Sequence, residues 1–296
     1  MQLGYGNHGR GTSIGRLVTL TVGLGLAALG CGDDEGVAGD GTGTGSSTST
    51  GSSTGGTTLV AEESTAGSQG ESSGGSSSDS TTGEPVTEVS IGGTIEDYFV
   101  MMPIADAQIS VLGQPGFETT SNAMGEWTIP GLAPNTFDRF VVAETDTYWG
   151  AVVPFQTEEL DVDDFELSQV SLDVIDIQIT ALQQQDPTVM VEDGTSVFLV
   201  ALIQNTATGA VVTVDPMPPA TNYYAPDPSG QPILGVNEIQ WSIYPVAVFY
   251  NLQPGPEGTY QISVTHPERE CTVLDSEPPT FARHINLIQV DCPAPA

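Results

Sequence analysis

Three zones follow one another along the 296 residues: an apolar run, Leu17–Leu29, a stretch almost without apolar side chains, Gly32–Glu84, and short apolar-polar alternations after Pro85. The first run is about 13 residues long, enough for the core of an export signal and too short to span a bilayer as a helix. Arg10 and Arg16 precede it as the positively charged flank. In the second zone every residue from Gly41 to Thr58 is Gly, Ser or Thr. Such a segment buries too little apolar surface to offset its ordering entropy, so a disordered tether is expected over residues 31–85. As a flexible coil of about 54 residues it would reach roughly 40 Å.

The third zone predicts strands. Val89–Ile95, Gln108–Leu112, Phe117–Ser121, Glu126–Ile129, Arg139–Glu144, Tyr148–Phe155 and Leu172–Ile179 are rich in β-branched and aromatic residues and end at turn formers. Ile109 and Val111 alternate with Gln108 and Ser110, as a half-buried strand requires. Asn122-Ala123-Met124-Gly125, Pro130-Gly131 and Pro134-Asn135 break the chain. No stretch of about 10–12 residues carries a convincing helical period. Glu158–Leu167 is Asp-rich and expected to be a loop or a single turn. Further strands are expected at Thr195–Ile203, Val211–Val214, Asn222–Tyr224, Glu238–Trp241, Val246–Tyr250, Thr259–Thr265 and Ile285–Val290.

Gly93-x-Ile95-x-Asp97, Pro103-Ile104-x-Asp106-Ala107-x-Ile109-x-Val111 and Thr119-Thr120-Ser121-Asn122-x-x-Gly125-x-Trp127-x-Ile129-x-Gly131-Leu132 resemble the carboxypeptidase regulatory-like family. The resemblance covers about residues 88–178 and implies a transthyretin-like (prealbumin-like), seven-stranded β-sandwich with an accessory or adhesive role and no catalytic residues. Tyr98–Met102 is an insertion that widens the first loop. Val246–Gly255 echoes Glu126–Pro134, each an apolar strand entering a Leu-x-Pro turn. The expected fold is therefore all-β, with a transthyretin-like sandwich over 86–178 and a second, similar sandwich over 179–296. An unrelated immunoglobulin-like sandwich is the rival for the second half.

Leu26-Ala27-Ala28-Leu29-Gly30-Cys31 resembles the lipobox of bacterial lipoproteins, with Ala28 and Leu29 departing from the usual pattern. The resemblance implies a signal peptide over 1–30, lipid on Cys31, and a membrane as partner through that anchor. Gly32 follows the cysteine, so the strict Asp retention signal for the inner membrane is missing and the outer membrane is the expected address. Several acyl chains on one cysteine would hold firmly where a single chain would not. Cys271 and Cys292 remain as an even pair in an exported chain, expected to form a disulfide.

The charge narrows the partners. Five arginines and no lysine face 38 acids, and removing residues 1–30 takes two of the arginines and no acid. Nucleic acid and anionic membrane faces need cationic contacts that such a surface lacks. Solubility or a salty medium accounts for the acids most simply.

The sequence carries no cofactor motif. His266 and His284 neighbour no nucleophile elbow, no zinc-protease spacing occurs, and the tether glycines lie outside any strand–helix context. Glu158–Asp164 offers Asp161, Asp163 and Asp164 as calcium ligands, though without the EF-hand spacing. Tyr98 and Phe99 in the insertion are the candidate sugar-stacking pair; Tyr148 with Trp149 and Tyr223 with Tyr224 are further pairs, read first as packing. The expectation is a non-catalytic, membrane-anchored envelope module with a structural or protein-interaction role. A glycan- or calcium-dependent adhesive module is the alternative.

Overall fold

The strands after Pro85 build one large sheet flanked by two small ones, as described for residues 86–203, 208–240 and 245–294 by a computed structural model. The expected signal segment, Cys31 and the tether lie outside the described residues. The first seven strands are β1 (Val89–Asp97), β2 (Gln108–Val111), β3 (Glu118–Thr120), β4 (Glu126–Leu132), β5 (Phe137–Val142), β6 (Gly150–Gln156) and β7 (Val162–Gln169). They form the expected seven-stranded sandwich. One layer runs β4-β1-β7 and the other β3-β2-β5-β6. Ile91, Ile95, Ile109, Val111, Ile129 and Leu167 fill the space between, because period-two alternation turns them to one side. At the centre Trp127 meets Phe140 edge-on at 5.1 Å, and Phe140 stacks on Phe155 at 3.9 Å.

Two expectations fail here. Glu158–Leu167 is not a loop or a turn: it contributes most of β7, an edge strand pairing in parallel with β1. Its acids do not oppose this, because Asp163, Asp164 and Glu166 face solvent while Leu167 and Gln169 are buried. Leu172–Ile179 is not a strand but most of α1 (Leu172–Gln183). Its β-branched residues suggest a strand, yet Leu172, Ile175, Ile179 and Leu182 lie on one helical stripe that packs against the sheet. Ile177 is left outside at 68% exposure. Asp173 in the first turn suits the helix dipole.

The remaining strands are β8 (Ser196–Leu202), β9 (Ala210–Asp215), β10 (Tyr223–Pro226), β11 (Pro232–Leu234), β12 (Glu238–Ile239), β13 (Val246–Leu252), β14 (Gln261–Thr265), β15 (Thr272–Val273) and β16 (His284–Asp291). They repeat the pairing of the first sandwich. β1 pairs antiparallel with β4 and parallel with β7; β8 pairs antiparallel with β13 and parallel with β16. β2 lies between β3 and β5, as β9 lies between β12 and β14. Even the irregularities coincide. The β1–β4 register shifts before Leu132, with Gly131 at φ 79°, and the β8–β13 register shifts before Leu252, with Asn251 at φ 58°. The echo between Glu126–Pro134 and Val246–Gly255 thus marks equivalent strands, β4 and β13.

The repeats are joined edge to edge. The ten-stranded sheet runs β11-β10-β13-β8-β16-β6-β5-β2-β3, with β15 also paired to β16. His284, Ile285 and Asn286 of β16 pair in parallel with Gly150, Ala151 and Val152 of β6. Gly150 leaves room there for the His284 ring, which a Cβ at 2.4 Å would force to turn away. Paired residues share a face, so Ala151, Ile285 and Val197 point one way and Val152, Asn286 and Phe198 the other. The first face carries the β4-β1-β7 layer and α1; the second carries β12-β9-β14. The two small sheets therefore cover opposite faces of the large one. The expected junction between residues 178 and 179 falls inside α1.

Candidate interaction site

The loop Tyr98–Met102 is built on the buried Asp97 at the end of β1. Its Oδ1 accepts the N–H groups of Phe99 at 2.9 Å and Val100 at 3.1 Å. Asp97 O accepts Met101 N–H at 3.0 Å, and Asp97 N–H donates to Met102 O at 2.9 Å. Two backbone bonds and two side-chain bonds thus close the loop on one residue, holding Met101 at φ 53°, a left-handed conformation costly for a side chain. Below it, Gln169 O accepts Tyr98 N–H at 2.9 Å. Gln169 Nε2 donates to the carbonyls of Ala143 and Trp149, each at 3.0 Å, while its buried Oε1 has no partner. The Tyr148 hydroxyl is held above its ordinary pKa by burial first, then by the Asp97 charge and their hydrogen bond.

The sequence-derived sugar pair lies in this loop. Tyr98 and Phe99 are half-buried, with ring centroids 5.1 Å apart and planes at 72°, so they share no common flat face. Tyr98 lies near Tyr224 of β10, whose pKa is raised by burial and then by Tyr98 and Tyr250. Trp149 and Tyr224 are core residues. The residues of this loop most open to solvent are not its rings but Val100 at 65%, Met102 at 61% and Met101 at 42%. Their signal was present in the insertion itself, an apolar run where a loop should be polar.

The acidic candidates are apart in role. Asp161 Oδ1 accepts Ser90 N–H at 2.7 Å, tying the start of β7 to β1. Asp163 and Asp164 sit at a bulge, where Ile91 pairs with Val162 but Gly93 already pairs with Phe165. Among the described residues no three His, Cys, Asp or Glu side chains are grouped to hold a metal ion. His266 contacts Thr208 O through Nε2, and His284 contacts Ala282 O through Nδ1.

Cys271 and Cys292 form a disulfide that joins the segment entering β15 to the end of β16. Each described arginine is engaged. Arg139 of β5 grips Asp275 through Nε at 2.6 Å and Nη2 at 2.9 Å, and reaches Glu257 at 3.3 Å. Arg283 pairs with Glu144 at 2.9 Å, and Arg269 donates to Cys292 O at 3.0 Å. The Asp275 hydrogen bond is the main reason the Arg139 pKa lies above its ordinary value. Among the described residues no helix is long and apolar enough to cross a membrane.

No protein-family model matches the chain, and no curated protein matches it. Solved structures do. The chain is similar to the TIE protein of Bacillus anthracis, at 13% identity over 70% of this chain and 34% of that one, with a TM-score of 0.25. A streptococcal ancillary pilin matches at 13% identity over 71% and 64% of the two chains, TM-score 0.24. GBS52, the minor pilin of Streptococcus agalactiae, matches at 8% identity over 70% and 98%, TM-score 0.22. The chain thus spans about a third of the first of these proteins and under two thirds of the second. Superpositions this loose carry no argument about activity or partners.

Proposed function

We propose that this protein is a non-catalytic module of the bacterial cell envelope, anchored through lipid on Cys31 and acting by contact. The observation that carries the reading is the fusion of two sandwiches through β6 and β16 into one sheet, reinforced by the Arg139–Asp275 pair, with a disulfide inside the second sandwich. Such a body suits holding a surface in a fixed geometry at the end of a tether. The apolar run before Cys31 and the Gly/Ser/Thr zone after it supply export and reach. The outer membrane is the address this reading assigns.

The test is metabolic labelling with a clickable palmitate analogue. Labelled protein in the membrane fraction is expected, with Cys31→Ser giving unlabelled protein released from membranes. A wild-type chain that carries no acyl group and fractionates as soluble would overturn the anchor. The calcium- and glycan-dependent reading rests on the acids of Glu158–Asp164 and on Tyr98 and Phe99 standing in a well-formed loop. A ligand bound only by the folded state must raise its melting temperature. An unchanged melting temperature at millimolar calcium and an empty glycan array would remove that reading.

A further inference from the structure

We infer that the tip formed by Val100, Met101, Met102, Pro103, Ala123 and Met124 is a docking site for a protein partner with an apolar anchor flanked by Lys or Arg. The inference goes beyond the envelope reading and does not depend on lipidation. All six residues are exposed, with Met124 at 64%, Val100 at 65% and Met102 at 61%. The two contributing loops lie side by side: a Cβ at Gly125 would sit 3.2 Å from Pro103 Cβ, and Asp106 N–H donates to Ser121 O at 3.1 Å. Half of the chain's six methionines are in this one place. Methionine is soft and adaptable, and exposed methionine clusters suit binding surfaces better than solvated loops.

The tip is also preorganised. Asp97 closes one loop, and Asn122 Oδ1 closes the other by accepting the N–H groups of Met124 at 2.8 Å and Glu126 at 3.0 Å. A surface already fixed before binding loses little conformational entropy on binding.

Charge selects the occupant. Asp106 and Glu126 are exposed beside the tip and Glu96 is half-buried there, while every described arginine is engaged elsewhere. A second exported copy would bring the same excess of acids over arginines, and an anionic membrane would repel the same rim. A cationic rim around an apolar anchor fits both features.

The test selects phage-displayed random peptides against the whole exported chain. Enriched peptides are expected to combine an aromatic or aliphatic residue with Lys or Arg. Their affinity should fall at least tenfold for Met102→Asp and Met124→Asp, fall with added salt, and stay unchanged for Ile177→Asp, an exposed apolar control on α1. Unchanged melting temperatures would show the variants folded. Peptides without basic residues, or binding unaffected at the tip, would overturn the inference. So would flotation with phosphatidylglycerol vesicles or concentration-dependent dimerisation that the tip variants abolish. Failure of palmitate labelling would leave this result untouched, so the two readings fail separately.

Discussion

Arg139 ties the two sandwiches at the residue scale, since it leaves β5 and meets a carboxylate 136 residues later. Asp275 is 3% exposed at its side chain, so removing Arg139 strands a buried carboxylate, whereas removing Asp275 leaves the guanidinium its contact with Glu257. Arg139→Ala should cost about 3–5 kcal/mol in urea unfolding, and Arg139→Met with Asp275→Leu should recover most of it. Glu257 is 63% exposed, and Glu257→Ala should cost well under about 1 kcal/mol. Nothing local foretold this pair, because proximity between residues so distant in sequence depends on how the sheets join. The disulfide was legible, since two cysteines in an exported chain leave one pairing. Burial also raises Tyr250 to about 12 and raises Tyr224 too. A phenol whose folded pKa exceeds its unfolded value favours the folded state below pH about 10, and that advantage is lost as pH rises toward about 12. Phenolate absorbance should therefore show these two rings ionising only with alkaline unfolding; titration in the folded protein at pH about 10 would contradict their burial.

Elements were legible where alternation was clean and misread where two patterns competed. In α1 Val174, Ile175, Ile177 and Ile179 favour a strand locally, while the stripe that packs on the sheet is apparent only over the whole helix. In β7 the acidity suggests a loop. An edge strand tolerates it, and charges with a bulge, as at Asp163-Asp164, are features that discourage an edge from pairing with another chain. The opposite side of this bulge admits no side chain, since a Cβ at Gly93 would lie 2.0 Å from Phe165 O. Gly93→Ala should therefore destabilise by more than about 2 kcal/mol in denaturant unfolding. The repeated Leu-x-Pro turn was the best guide to the second sandwich, and its bulge can be tested in both copies. Gly131→Ala should cost about 1–2 kcal/mol for its left-handed backbone. Asn251→Ala should cost about 2–4 kcal/mol, because the side chain also accepts Glu192 N–H and donates to Met190 O.

At the scale of the whole molecule, the decisive contact is the parallel pairing of β6 with β16, which makes a continuous sheet of two repeats. A hint of it lay in the sequence. β6 and β13 are apolar nearly throughout rather than alternating, as strands covered on both faces must be. The hint does not say which strand lies beside which, and so the fusion itself could not be read. Reduction of the Cys271–Cys292 link should cost about 3 kcal/mol in the chain-entropy account and loosen the β15–β16 end first, as hydrogen exchange would register. The fusion makes a sharper demand on the unfolding of the folded unit, since β16 cannot leave one sandwich without exposing the edge of the other. Scanning calorimetry of the chain from Pro85 onward measures this directly. A single transition with equal calorimetric and van't Hoff enthalpies is predicted; two separable transitions, one for each sandwich, would contradict the shared sheet.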